Sequence, residues 1–300
     1  AWMLAATASA AMLLIVTSLL AEEALRGEGE RVVARNSLGE EVTEVQSTAC
    51  SGYPSLKFKM PKPILHSNLA RKGPDKGRAE GIVYDVVMDP GSGAVSALGH
   101  RRVYLVVNVT SSDYEPFSAE LNGMRGEYGS INLRSGSSVD LRFRFYDQRS
   151  RARHQLPRAA FTFFNLHTGG ADKSVESVTL RKPYKHYHLT ADTEVRVEDL
   201  GDRTRFSGST NGVAEAHPTH PTHLTHQQKH SAVTVTFEHL DELQVTLGAG
   251  AGGGPRFFTF ASTPSLMCEV RVPEGSRPQL DDITARLPLQ LSVQSDCCES

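Results

Sequence analysis

Histidine makes the densest pattern of chemically useful side chains in this 300-residue chain. His217, His220, His223, His226 and His230 follow one another at intervals of three, three, three and four. Neutral imidazole is the commonest protein ligand for zinc, copper and nickel, so the run offers donors for a divalent metal. Pro218 and Pro221 favour an extended, polyproline-like course in which every third residue returns to the same side. No Asp or Cys in the run completes a rigid ligand set, and the competing reading is a histidine loop with adventitious metal affinity.

A second grouping is His186-Tyr187-His188. In a strand the two imidazoles share one face, and Glu194 follows six positions after His188. The spacing resembles the HxH-then-Glu metal motif of the cupins, which are double-sheet β-proteins. That resemblance implies a metal-dependent, cupin-like β-barrel enzyme using His186, His188 and Glu194. The Glu comes late for that pattern and the downstream Pro-x-Gly and His are absent, so the competing expectation is two solvent-facing histidines.

Arginine forms the third cluster. Arg142, Arg144, Arg149, Arg151, Arg153 and Arg158 fall within one expected hairpin, opposed mainly by Asp140 and Asp147. On a shared outer face they would bind anions such as sulfated polysaccharide, another surface glycan or phospholipid headgroups; otherwise their charge keeps a solvated hairpin from pairing at its edge. Asn108-Val109-Thr110 is a glycosylation sequon. Of the four cysteines, Cys50 and Cys268 bracket the β-rich region and are the expected disulfide, whereas Cys297-Cys298 lies in a polar tail suited to intermolecular bonding. No GxSxG elbow, HExxH helix or P-loop occurs.

Strands must position these groups. In Val139-Asp140-Leu141-Arg142-Phe143-Arg144-Phe145 the apolar residues alternate with charged ones, the period of a half-buried strand. Val233, Val235 and Phe237 repeat the pattern, as do Leu243, Val245 and Leu247. Ile82 to Met88, Arg102 to Thr110, Phe161 to Leu166, Ser174 to Leu180, Thr193 to Val197 and Arg256 to Ala261 are further strand-like runs at short spacing. Many short strands with little helix between them predict an all-β, antiparallel, jelly-roll-like sandwich over residues 79–270. The Gly248-to-Gly254 run reads as a flexible hairpin loop.

Residues 1–21 carry no charge and must leave water, as a signal peptide or a membrane anchor, in an apolar helix that Glu22 to Val33 would extend. Residues 22–78 read as a linker or stalk, and residues 271–300 as a largely disordered tail. A net charge of −2 argues against a nucleic-acid partner.

The stretches Ser138 to Asp147, Phe161 to His167 and Leu189 to Val195 resemble uncharacterised dinoflagellate or other microalgal surface proteins, over about residues 130–270. The resemblance implies a secreted β-sandwich and brings no assigned activity. Where it would put Asp-x-Asp this chain has Asn165 and His167, so an Asx-type turn closing a strand is expected there, the competing reading being a degenerate calcium site to which Asp172 and Glu176 would contribute. Together these features predict a non-enzymatic β-sandwich of the secretory pathway, extracellular or membrane-anchored, that acts through its surface in adhesion or glycan contact.

Overall fold

The computed structural model describes residues 32–42, 52–89, 101–170, 173–212 and 218–267. In chain order the strands are β1 (Val32–Asn36), β2 (Glu41–Val42), β3 (Ser55–Phe58), β4 (Ile64–Asn68), β5 (Gly81–Asp89), β6 (Arg101–Val109), β7 (Gly123–Arg125), β8 (Tyr128–Arg134) and β9 (Ser138–Asp147). They continue with β10 (Leu156–Phe164), β11 (Glu176–Arg181), β12 (His186–Thr190), β13 (Val195–Asp199), β14 (Arg203–Gly208), β15 (Val233–Leu240), β16 (Glu242–Ala249) and β17 (Pro255–Ala261). A single helical turn, α1 (His226–His230), precedes β15.

Two antiparallel sheets form the predicted sandwich. The first runs β2-β1-β12-β15-β10-β17-β8-β7, and the second β13-β14-β11-β16-β9-β6-β5-β3, with β4 also pairing β5. Period two explains the shared core: Val139, Leu141, Phe143 and Phe145 of β9 turn inward to meet Phe161 and Phe163 of β10 and Phe258 and Phe260 of β17. Their rings meet edge to face, Phe143 lying 5.1 Å from Phe260 and 6.0 Å from Phe161, the arrangement that aromatic quadrupoles favour. Gly129, the cross-strand partner of Phe260, leaves the space that ring fills: a Cβ there would collide with it.

Several expectations are corrected. The stalk predicted over 22–78 contributes β1 and β2 to the first sheet and β3 and β4 to the second, so in its described parts it belongs to the sandwich. Val32 and Val33 lie in β1 and do not extend a helix. Neither expected hairpin is one. β9 and β16 lie in the second sheet while β10 and β17 lie in the first, so the 148–155 and 250–254 connections are arches between sheets. Backbone bonds from Ser174 to Ala251 and from Gly250 to Val175 hold the glycine arch, and a Cβ on Gly252 would overlap the Ser174 hydroxyl. Residues 1–31 and 268–300 lie outside the described residues, and with them the apolar run and the tail. Among the described residues no helix is long and apolar enough to cross a membrane.

Candidate functional site

The outward side chains of the second sheet make the candidate site, because register aligns them. Arg142 on β9 stands opposite Asn108 on β6 and Gln244 on β16. Gln244 accepts from Arg181 Nη1 on β11 at 3.2 Å, and Arg181 stands opposite Arg203 on β14. One row across five strands thus carries three arginines and two amides. At about 4.8 Å per strand, Arg142 and Arg203 lie roughly 14 Å apart on the backbone. The neighbouring row, Asp140, Thr246, Thr179, Arg205 and Glu198, holds its own ion pair, Arg205 to Glu198 at 3.0 Å.

Charge in the first row is incompletely balanced. Glu242 Oε2 lies 2.8 Å from Arg144 Nε, 3.9 Å from Arg142 Nε and 3.9 Å from Arg153 Nη2, so one carboxylate serves three guanidiniums. Asp241 relieves Arg153 at 2.7 Å. Burial pushes the Glu242 carboxyl up, but hydrogen bonds from Gln244 and Arg144 and the arginine charges outweigh it and hold the group below its ordinary value. Farther along, Asp202 lies 4.0 Å from Arg181 and 3.8 Å from Arg203. Arg142, Arg181 and Arg203 keep 34% to 57% of their side-chain surface exposed. At the β13 end of the same face a cleft of about 450 Å³ is lined by Thr168, Val175, Arg196, Glu198, Ser207 and Ser209.

The expected arginine hairpin is therefore divided. Arg142 and Arg144 point outward as the alternation requires, and the 148–155 arch lays Arg151 over the Tyr104 ring at 4.8 Å and Arg153 over Tyr146 at 6.0 Å on that same outer face. Arg149 sits in a turn closed by Asp147, which accepts from the Arg149 and Ser150 amides. Those bonds, the Ser150 amide first, hold the Asp147 carboxyl down at about 2. Arg158 belongs to β10 in the other sheet. Sequence reasoning missed Arg181, Arg203, Gln244 and Glu242, whose place beside Arg142 depends on pairing between distant strands.

The histidines do not converge. Among the described residues no group of three or more His, Cys, Asp or Glu side chains is gathered to hold a metal ion. The run separates into two pairs: His220 and His223 at 2.8 Å between Nδ1 atoms, and His226 and His230 at 2.7 Å; His217 lies outside the described residues. Glu127 lies 3.2 Å from His220 Nε2, but His223 meets the opposite nitrogen, so the three cannot share one ion. The predicted extended course ends at Thr225, whose side chain and that of Gln228 form a capping box starting α1, a signal readable as Thr-x-x-Gln.

His186 and His188 share one face of β12, as predicted, with rings 6.3 Å apart, on the outer side of the first sheet. His188 is buried, and burial first and His186 second push its imidazole down to about 3. The turn at Thr190 to Thr193 carries the chain to the other sheet, so Glu194 bonds Thr210 at 2.6 Å and Gln227 at 3.2 Å, and the cupin-like triad is not assembled. The Asn108 amide donates to the Glu80 backbone carbonyl and carboxylate, both at 2.9 Å, so both its hydrogens are engaged. Cys50, Cys268, Cys297 and Cys298 lie outside the described residues. Asn165 takes a left-handed φ of 62° in the predicted turn, and the His167 amide donates to Glu176 at 3.2 Å. Burial lifts the Glu176 carboxyl to about 8, outweighing that bond and Arg256 at 4.0 Å.

No family model matches the chain, and no curated protein matches it. Among solved structures it is similar to the N-terminal domain of a Streptococcus gordonii adhesin, with 8% identity over 71% of this chain and 64% of that one, at a TM-score of 0.39. It is also similar to glucan-binding protein C of Streptococcus mutans, with 10% identity over 67% of this chain and 66% of that one, at a TM-score of 0.31. The chain thus spans slightly less than two thirds of each.

Proposed function

We propose that this chain is a non-enzymatic surface β-sandwich that contacts an anionic polysaccharide through the outer face of its second sheet. The observation that carries the reading is the row Arg142, Gln244, Arg181, Arg203: cations and an amide at strand spacing on a face where these arginines are partly exposed. A sulfate or uronate group takes bidentate hydrogen bonds from guanidinium, and a polymer laid across the strands meets several in succession. Like charges at the Arg181–Arg203 cross-strand pair are unfavourable by themselves and are relieved by a bound anion. Export to a cell surface accords with the charge-free run at 1–21.

Titration of the full chain with dextran sulfate and with uncharged dextran tests the proposal. Dextran sulfate binds, dextran does not, and R142Q/R181Q/R203Q weakens binding by about tenfold or more, the equivalent of one lost charge-assisted hydrogen bond. Equal binding of both polymers, or an unaffected triple variant, overturns it.

A further inference from the structure

We infer that β13 is a homodimerisation edge: in a second copy of this chain it finds its own antiparallel partner. Three of the four sheet ends are short or occupied. β2 has two residues, β7 has three with its Gly123 carbonyl held by Tyr84, and β3 bonds Ser262 through its Leu56 amide. β13 has five, of which Arg196 to Asp199 are exposed, and Val197 is 38% exposed on the edge. Such an edge is a template for another strand.

The backbone says which groups face outward. Bonds from Leu200 N–H to Arg203 and from Ser209 N–H to Glu194 turn the even-numbered residues toward β14. In an antiparallel ladder this alternates, so Val197, Asp199 and the Val195 carbonyl aim their backbone groups at the open side, while the Val195 N–H donates to Thr193 Oγ1 at 3.1 Å. A two-fold axis through Val197 then pairs Val197 with Val197 of the second copy in a hydrogen-bonded pair. Arg196 falls opposite Glu198 of the second copy, and Glu198 opposite its Arg196, in non-hydrogen-bonded pairs where side chains approach most closely. Arg-Val-Glu is thus charge-complementary to itself in this register alone: an axis moved one residue along the strand, to either side, faces like charge with like or Val197 with a charge. Among the described residues Arg196 has no ion pair, whereas Glu198 holds Arg205 at 3.0 Å and gains a second cation.

The axis stands perpendicular to the sheet, so both outer faces end on the same side and the two arginine rows share one continuous surface. The contact is small and the association weak, and a polymer spanning both copies strengthens it through avidity. The inference does not depend on the polysaccharide reading.

Sedimentation equilibrium of the full chain from roughly micromolar to millimolar concentration tests it. The wild type passes from monomer to dimer; R196E and E198R, each checked for native circular dichroism, associate at least tenfold more weakly; an equimolar mixture of the two recovers association, since Glu-Val-Glu now faces Arg-Val-Arg. A wild type monomeric throughout, single variants that dimerise like wild type, or a mixture that stays monomeric overturns the inference.

Discussion

The outward residues of β10 and β15 in the first sheet include Thr162, Thr234 and Thr236, all fully buried, while in the second sheet β9 and β11 offer Arg142, Arg144 and Arg181 at least partly in solvent. Both sheets alternate with the same period, and both turn one apolar face to the same core. What differs is the cover. Residues Ser262 to Leu266 cross the first sheet: Thr162 Oγ1 donates to the Thr263 carbonyl and accepts from the Ser265 amide, and the Leu266 amide donates to Thr234 Oγ1. Phe164, Tyr128, Ala261 and Leu266 form a second apolar cluster there. A polar outward face therefore signals solvent only where nothing lies over it. Hydroxyls suit the covered face because Thr162 and Thr234 satisfy backbone groups of the strap and Thr236 those of His186 in β12; guanidiniums suit the open one because they remain hydrated.

The largest way to break this contrast lies on the covered face. Phe164→Ala empties a fully buried site beside Tyr128, whose ring lies 5.0 Å away, and is expected to cost about 3–5 kcal/mol in chemical denaturation. Thr162→Val keeps the shape but strips the Ser265 amide and Thr263 carbonyl of their partner, for an expected loss of about 1–3 kcal/mol.

Two buried groups sharpen the contrast with opposite pH signatures. Folded His188 refuses a proton that the unfolded chain accepts between pH 6.5 and about 3, so stability falls as pH falls through that window, and His188→Gln flattens the acid limb. Folded Glu176 retains a proton that the unfolded chain releases between pH 4.5 and about 8. Stability therefore falls as pH rises through that interval, and Glu176→Gln removes the slope. Urea midpoints measured across pH separate the two. On the open face Arg142→Gln is expected to move stability by no more than about 0.5 kcal/mol, because its exposed charge is screened and shared.

Sequence located the strands that matter most to the core: β9, β15 and β16 lie where period two placed them, and β5 and β6 where strand-like runs did. β8 escaped it because six of its seven residues are buried and Ser130 and Asn132 interrupt the apolar pattern. The short strands β1 to β4 carry Lys, Arg, His and Asn and are held by their neighbours more than by propensity. Arg142 and Arg144 were legible as a pair on one face. Their carboxylate was not: Glu242 lies 98 positions from Arg144 and joins it only through β9–β16 pairing. For the same reason the histidine run suggested a shared metal, whereas Thr225 starts a helix that turns His226 and His230 toward each other.

Hydrogen–deuterium exchange of the full chain, with and without dextran sulfate at low ionic strength, tests most directly that one face is open for contact and the other sealed. Protection on adding polymer should appear in β9, β11 and β14, leave β10 and β15 unchanged, and fade at about 1 M salt, where the screening length shrinks to about 3 Å. Protection centred on β10 and β15, or none on the arginine row at low salt, would contradict the account.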